Sequence, residues 1–427
     1  MHRKRISFFL ILFLFYCKSL FAQSKLVLAP LSLTLVEAEK SFLQNNFLLL
    51  AAKYGVDIAN ASMLQAKLYP NPNLSINQGA YNKDQMKWFD LSKRGETAVS
   101  LQQIIILAGK RNKQIHLAKI NSQISIYQFY DLIRTLRFAL RSSFYKLYYL
   151  RQSVDVYDKE IESLQSLVDV YTAQYHKGNI AFKELARLQA LQFNLENERL
   201  DLVKSASEQQ SNLTILTGDT LMHNIHPLPD TSLLGTVDVS KLNYVQLLDS
   251  GLANRSDLLK ARTELEAGRA NLALQKALRV PDISVGANWD RQGSYVYNYN
   301  SISLAMDIPF FNRNQGNVKM AAHEIEQSKQ FQSQAELEVR TEIDKAYSQL
   351  LETEQLYKRI SLQFNTDYDK LLDGITTGYR NRTISLLEFI DYYETYKNSK
   401  IEFNRLLNNR FDAMENLNFA TGSTVIK

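Results

Sequence analysis

Apolar residues recur along most of this chain at steps of three and four, which predicts amphipathic helices packed in coiled-coil fashion. Two stretches of this kind, residues 110–177 and 317–373, contain no glycine and no proline. A continuous helix of either length would measure about 85–100 Å at 1.5 Å per residue. Helical hairpins are predicted, and the apolar residues that recur along each helix form a seam where the helices pack. The seams of the first hairpin are Ile161, Leu164, Val168, Tyr171 and Tyr175 on one helix and Leu185, Leu188, Leu195 and Leu202 on the next. A later helix has the seam Phe389, Tyr393, Tyr396 and Phe403.

A second pattern, with period two, predicts strands. Residues 283–289 and 302–308 alternate apolar and polar side chains, and residues 74–77 do so in the first half of the chain. Each half reads helix, strand, loop, strand, very long helix, break, helix. The first helix is predicted from about Thr34 to Leu68, starting at a capping box formed by Thr34 and Glu37.

The two halves are copies of each other. Residues 72–76 match residues 281–285, and Glu184 with Leu185 matches Glu388 with Phe389 at a nearly constant offset. The interpretation is a first repeat over 23–217, a linker over 218–240 and a second repeat over 241–427. Glycine is expected to end the long helices, at Gly178 in the first repeat and between Gly374 and Gly378 in the second.

The N-terminus predicts a secretory signal over residues 1–22, with a basic start, an apolar run and a cleavage point after Ala22. Cys17, the one cysteine, lies inside it, so the mature chain has no thiol. The formal charge of +6 falls to +2 without the four basic residues of the signal, which argues against a nucleic-acid partner. His223 and His226 are interpreted as two histidines of a loop rather than as metal ligands. No catalytic motif, cofactor or metal site is predicted, so the chain is not expected to be an enzyme.

Four amphipathic strands pose a problem in a membrane, because a sheet in lipid must close on itself. Known membrane barrels begin at about eight strands, so several chains would have to share one barrel, and three chains would supply twelve strands. Alternation of apolar and polar residues is equally typical of strands in a soluble β-sandwich. Aromatic residues near the predicted loops favour a membrane face; they are Tyr81, Trp88, Trp289, Tyr295, Tyr297 and Tyr299.

Four motifs resemble the TolC-type outer membrane efflux proteins: residues 43–46, 68–72, 308–314 and 384–391. The resemblance implies a mixed α/β membrane protein, in which a homotrimer forms a twelve-stranded β-barrel continued by a periplasmic α-helical tunnel. It also implies docking onto a periplasmic adaptor (membrane fusion protein) and an inner-membrane pump. The tip motif at 384–388 favours the branch that serves resistance-nodulation-division pumps, including CzcC/CusC-like metal exporters. A type I protein-secretion duct and a secreted structural coiled-coil protein remain the alternatives.

The same resemblance implies a gate at the hairpin tips. Its candidate residues are Tyr379, Arg382, Glu388, Asp391, Glu184 and Arg187, and adaptor docking is expected at Gly178, Gly374 and Gly378. Rings of Glu388 and Asp391 would favour cations, although acidic residues at a helix start also complement the helix dipole. The chain departs from the family pattern at two positions. Ile106 stands where Pro309 is in the second copy, and Arg382 stands where Gly178 is in the first.

Overall fold

The computed structural model describes residues 30–230, 239–292, 295–360 and 374–426. The predicted signal and Cys17 lie outside these residues. Contacts divide the chain into two compact units that cut across the two repeats. We call residues 30–46, 139–230 and 374–409 the hairpin unit. Residues 47–138, 239–360 and 410–426 form the sheet unit.

Long helices dominate both units. The helices are α1 Leu35–Asn45, α2 Phe47–Ala66, α3 Lys110–His176, α4 Phe182–Thr217, α5 Tyr244–Asn254, α6 Ser256–Ala277, α7 Gln315–Arg359 and α8 Leu386–Thr421. The strands are β1 Leu31–Thr34, β2 Asn73–Gln78, β3 Tyr81–Asn82, β4 Lys87–Trp88, β5 Thr97–Ile105, β6 Ile225–Leu228, β7 Ile283–Asp290 and β8 Tyr299–Met306. A short helical segment also covers residues 374–380.

The predicted long helices are confirmed in the first repeat and interrupted in the second. Helix α3 runs for 67 residues, about 100 Å at 1.5 Å per residue. Helix α7 ends at Arg359, because Ile360 takes an extended conformation. Lys358 and Arg359 complement the helix dipole there, but neither glycine nor proline marks the break. The rest of the predicted stretch, residues 361–373, lies outside the described residues.

The first helix of each repeat is broken where a single helix was predicted. Thr34 and Glu37 do form the expected capping box, but Asn46 is extended and separates α1 from α2. Its side-chain amide donates to the Leu216 carbonyl at 3.0 Å. Arg255 is likewise extended between α5 and α6, and it donates to Asp257 and Glu342. Hydrogen bonds of a buried polar side chain thus stabilise each break. Neither break is marked in the sequence by glycine or proline.

The predicted linker between the repeats, residues 218–240, contains a short strand. Strand β6 pairs in parallel with β1, from Leu31 with Ile225 to Thr34 with Leu228. Both are only four residues long and too short for a clear period-two signal. His226 lies on β6, whereas the His223 ring contacts the Asp219 carboxylate at 3.0 Å.

The four predicted strands form one antiparallel sheet in the sheet unit, in the order β2-β5-β7-β8. Its centre joins the two repeats, since β5 of the first pairs with β7 of the second along eight residues. Lys110 at the start of α3 is bonded to Asp282, just before β7, at 2.7 Å. Asp282 also accepts from the Leu107 amide at 2.9 Å. These bonds fix the entry of α3 relative to the sheet.

Helices α5, α6 and α7 pack beside one another in the sheet unit, and the C-terminal part of α8 contacts α7 there. Arg410 forms a buried bidentate pair with Glu354, and its guanidinium lies 4.1 Å from the centroid of the Tyr357 ring. Helix α2 is the described helix that is long and apolar enough, by length and composition, to cross a membrane. It carries Lys53 and Asp57, and core helices of soluble proteins pass the same test.

A continuous apolar core fills the hairpin unit and contains most residues of the predicted seams, but not Tyr175, which is 39% exposed. It combines residues of α3, α4, the segment 374–380 and α8. Its members include Leu164, Val168, Leu185, Leu188, Leu195, Tyr379, Phe389 and Tyr393. The two helical hairpins of the chain are therefore packed together in this unit.

Candidate membrane sheet and hairpin tips

One face of the four-stranded sheet is mostly apolar, with Gln103 of β5 as a polar exception near its middle. The register aligns Leu74 with Leu101, Leu101 with Ala287, and Ala287 with Ile302. The apolar face also includes Ile76, Val99, Ile105, Ile283, Val285, Trp289, Leu304 and Met306. In a soluble sandwich such a face would be buried against a second layer. Here Ile302 is 85% exposed and Leu304 is 73% exposed.

The opposite face of the sheet is mostly polar, although Ile104 also lies on it. Ser75 opposes Ser100, Gln102 opposes Gly286, and Asn288 opposes Ser301. Asn288 donates to the hydroxyl groups of Ser301 and Ser303 at 3.4 and 3.2 Å. The outer edges of β2 and β8 have no partner strand among the described residues. A sheet with one apolar face, one polar face and two open edges suits a barrel wall between lipid and water.

The predicted aromatic residues lie at the loop end of this sheet. The Tyr81 and Trp88 rings pack 5.1 Å apart on the small β3–β4 hairpin, within the longer loop of the first repeat. Trp289 and Tyr299 lie where β7 and β8 meet their connecting loop, and Tyr295 and Tyr297 are exposed in that loop. Arg291 ties the loops of the two repeats together by donating to the Leu91 carbonyl at 2.7 Å.

The two hairpin tips have the same backbone turn. In the first tip the amide of Gly178 donates to the Tyr175 carbonyl at 2.9 Å. In the second tip the amide of Arg382 donates to the Tyr379 carbonyl at 3.0 Å. Gly178 and Arg382 both take the left-handed conformation, with φ of 75° and 61°. The expected glycine cap at Gly374–Gly378 is therefore wrong, because the left-handed residue of the second tip is an arginine.

Gly374 and Gly378 instead lie in the helical segment 374–380. A Cβ at Gly378 would lie 3.2 Å from Thr383 Oγ1, so this glycine lets the Thr383 side chain fold back onto the turn. Thr383 Oγ1 donates to the Gly378 carbonyl at 2.9 Å. Gly178 and Gly374 have nothing within 4 Å of an added Cβ and so face open space in this chain.

Glu388 forms a capping box with Ser385, the residue before α8. Its carboxylate accepts from the Ser385 amide at 2.8 Å, and the Ser385 hydroxyl accepts from the Glu388 amide at 3.2 Å. The hydrogen bonds from the Ser385 backbone and side chain lower the pKa of Glu388. Ser385 was missed in the sequence, although Ser-x-x-Glu is the same type of signal as Thr34-x-x-Glu37. In the first tip Ala181 occupies the cap position and makes no side-chain cap bond.

Tyr379 is buried rather than exposed in a turn. Its ring stacks on Tyr171 at 5.6 Å and on Phe389 at 4.6 Å between centroids. Burial first, and then the neighbouring Tyr171 hydroxyl and the Glu184 carboxylate, raise the pKa of Tyr379. The Tyr379 ring is thus enclosed by residues of its own chain. Its place in the structure is the contact between the two hairpins of one chain.

The remaining tip candidates lie closer to the surface. Arg382, Asp391 and Arg187 are exposed, and Glu184 is half-buried. No ion pair joins Arg187 to Asp391 in the part of the chain that the structure describes. Asp391 thus presents an exposed carboxylate one helical turn beyond the cap.

Comparison with known proteins agrees with this geometry. The family model for the outer membrane efflux protein matches residues 40–219 and 247–423. The cobalt-zinc-cadmium resistance protein CzcC of Cupriavidus metallidurans is 21% identical over 388 residues, which cover 89% of this chain and 88% of that protein.

Two solved structures show the same fold. A membrane protein from Pseudomonas aeruginosa has a TM-score of 0.73 at 15% identity, and the match covers 91% of this chain and 90% of that one. CusC has a TM-score of 0.69 at 17% identity, with 91% and 92% covered. The predicted family is confirmed by the family model. The chain therefore belongs to the outer membrane efflux proteins, the non-enzymatic outer-membrane channels of tripartite efflux systems in Gram-negative bacteria.

Proposed function

We propose that three copies of this chain form a passive conduit that exports metal ions or small toxic compounds through the outer membrane. The observation that carries the proposal is the four-stranded sheet, whose apolar face is exposed and whose edge strands β2 and β8 lack partners among the described residues. Lipid would cover the apolar face, and water in the conduit would cover the polar one. Chemistry and energy would come from the partner proteins.

The number of strands supports several chains per barrel. One chain contributes four strands to the sheet, whereas bacterial membrane barrels have about eight or more. Three chains would give twelve, with β2 of one copy paired to β8 of the next. Helix α2 also leaves Phe47, Tyr54 and Ile58 exposed. A neighbouring copy would bury these side chains.

We place the entrance of the conduit at the hairpin tips. Asp391 would form a ring of three exposed carboxylates, and cation preference follows from such a ring. Glu388 adds charge to the same helix face but is engaged in its capping box. Gly178 and Gly374, which face open space, would be docking points for an adaptor, with Gly378 shaping the second turn. The expected pump is of the resistance-nodulation-division type.

The proposal for metal cargo rests on the likeness to CzcC, a cobalt-zinc-cadmium resistance protein. Deleting the gene and challenging the cells with metals, dyes and antibiotics tests the cargo. Metal sensitivity alone would support a CzcC-like role, and sensitivity to dyes and antibiotics would support export of organic compounds. Loss of a secreted polypeptide without either phenotype would favour a protein-secretion duct.

A matched pair of charged substitutions tests the membrane placement. Leu304→Arg puts a cation on the exposed apolar face, where lipid would penalise it by about 2–4 kcal/mol near the midplane. Ala305→Arg adds the same charge to the next residue of β8, on the polar face. We expect the first variant to lose the heat-sensitive trimer in outer-membrane fractions and the second to keep it. Equal assembly of both variants would contradict the proposal.

A further inference from the structure

A fully buried carboxyl group lies where the two hairpins pack together. Glu160 on α3 is 0% exposed, and neither of its carboxylate oxygens has a hydrogen-bond partner among the described residues. The Tyr393 hydroxyl of α8 donates to the Glu160 main-chain carbonyl at 2.6 Å. Helix α8 therefore lies directly against the turn of α3 that carries this carboxyl.

The charged groups nearest to Glu160 form a cluster from three helices. Lys397 on α8 is buried and donates to Glu198 on α4 at 2.6 Å. The Tyr157 hydroxyl on α3 donates to the same carboxylate at 2.8 Å. Among the described residues, Lys397, Glu198, Tyr157 and Tyr393 are the titratable groups that face Glu160. The ammonium of Lys397 thus bonds to a solvent-accessible carboxylate and also acts electrostatically on the buried one.

The surroundings favour the neutral form of the Glu160 carboxyl and the ionised form of the Glu198 carboxyl. Burial raises the pKa of Glu160 to about 8, against an opposing effect of Lys397 and with a further contribution from Glu198. Burial also acts on Glu198, but the hydrogen bonds from Lys397 and Tyr157 lower its pKa. Burial raises the pKa of both tyrosines, so they remain hydroxyl donors. At neutral pH Glu160 is therefore mostly neutral, and Glu198 holds the lysine.

We propose that Glu160 is a proton-controlled switch: its neutral form lets α8 pack on α3 and α4 with Lys397 bonded to Glu198, and its ionised form attracts Lys397 and loosens that packing. A neutral carboxyl is tolerated in an apolar core, whereas an ionised one without hydrogen bonds is strongly disfavoured. The switch goes beyond the proposed function, because it concerns packing within one chain and would exist in a protein that conducts nothing.

The raised pKa of Glu160 determines how the stability of the hairpin unit depends on pH. The pKa of Glu160 in the folded chain, about 8, lies above the ordinary value of 4.5. The folded state therefore holds the proton more tightly than the unfolded state, and the stability that this provides is complete below about pH 4.5. It is lost as the pH rises towards 8. The hairpin unit should be more tightly packed at pH 6 than at pH 9.

Hydrogen exchange on the full-length protein in detergent tests the switch. Peptides covering residues 157–164 and 393–400 would be followed at pH 6 and pH 9, with rates corrected for intrinsic exchange. Glu160→Gln keeps the shape of the neutral carboxyl, and Glu162→Gln changes an exposed glutamate on the same helix. At pH 9, one unit above the pKa of about 8, the ionised form of Glu160 outnumbers the neutral form about tenfold. We therefore expect these peptides to exchange about tenfold faster in the wild type than in Glu160→Gln. At pH 6 the two should agree.

Two results would overturn the switch. One is equal exchange of wild type and Glu160→Gln at pH 9, and the other is faster exchange of the variant at both pH values. Glu162→Gln must follow the wild type throughout. If Glu160→Gln does not assemble, Lys397→Gln takes its place. Because Lys397 favours the ionised carboxyl, its loss must move the exchange transition to higher pH, and an unchanged transition would equally reject the proposal.

Discussion

The two hairpin tips share one turn but stabilise it in different ways. In the first tip the left-handed residue is Gly178, for which that conformation carries no steric cost. In the second tip it is Arg382, for which it does. The second tip has two compensating features that the first lacks, the Ser385 cap and the buried ring of Tyr379. The duplicated backbone has been kept, while the source of its stability has moved from the turn to the residues around it.

The corresponding tyrosines show the same contrast. Tyr379 is 4% exposed and stacked between two rings, whereas its counterpart Tyr175 is 39% exposed and packs beside Phe182. The second tip is thus attached to the core that joins the hairpins, and the first is more peripheral. A gate that moves one tip more than the other would exploit this difference.

The largest expected effect comes from the buried ring. Tyr379→Ala should cost about 3–5 kcal/mol of local stability, because it removes a large aromatic side chain from the core. Tyr175→Ala should cost less, since its ring is partly solvated. Hydrogen exchange of peptides over residues 374–392 and 170–187 measures both. Tyr379→Phe is the control and should behave like the wild type. A comparable loss from Tyr175→Ala would remove the contrast between the tips.

Exchanging the left-handed residues should produce effects of opposite sign. Gly178→Ala should destabilise the first tip by about 1 kcal/mol, the steric cost of a Cβ in the left-handed conformation. Nothing lies within 4 Å of that Cβ, so no clash adds to the cost. Arg382→Gly should stabilise the second tip for the same reason. Trypsin cleaves after arginine, so chymotrypsin nicking rates at the tips are the better measurement. Destabilisation by Arg382→Gly would show that the arginine side chain itself holds the turn.

Exchanging the cap residues should produce effects of similar size, again opposite in sign at the two tips. Ser385→Ala removes the hydroxyl acceptor and should weaken the start of α8 by about 1 kcal/mol. Ala181→Ser supplies a cap with Glu184 three residues later and should strengthen the start of α4. Exchange of the first-turn amides reports each change. If Ala181→Ser has no effect, the first tip does not have the geometry of a cap, and the two turns differ more than their backbone bonds suggest.

Acid should act selectively on the second tip. The pKa of Glu388 is lowered by its bonds to Ser385, from an ordinary 4.5, so its contribution is complete above that pH and is lost as the pH falls below it. Exchange at the start of α8 should accelerate as the pH falls below about 4.5. Glu388→Gln should remove this acid dependence, and Glu394→Gln, on an exposed residue of the same helix, should leave it intact. An identical acid response in Glu388→Gln would assign it to another group.

Much of the fold was predictable because it depends on long periodic patterns. Helix α3 is indicated by apolar residues that recur with a period of 3.6, and the four-stranded sheet by apolar residues that recur with a period of two. Both patterns extend over many residues. The breaks at Asn46, Arg255 and Ile360 were not predictable, because no glycine or proline marks them. The bonds that hold the first two breaks are made to residues far along the chain.

The tips show the same limit at single residues. The turn positions followed from aligning the repeats, but the left-handed conformation of Arg382 depends on tertiary packing. The burial of Tyr379 could not be read locally either, because the rings that cover it come from α3 and α8. The Ser385 cap, by contrast, is a local signal and was readable from four residues.

Ion selectivity in planar bilayers tests the central claim most directly. The purified wild-type protein should insert as channels of discrete conductance and prefer cations over anions. Glu388→Ala combined with Asp391→Ala should reduce that preference, because it removes the carboxylates at the proposed entrance. Arg187→Ala at the corresponding position of the first tip is the matched control and should not reduce it. Absence of conductance steps, or a cation preference unchanged in the double variant, would contradict a conduit with its selective entrance at the second tip.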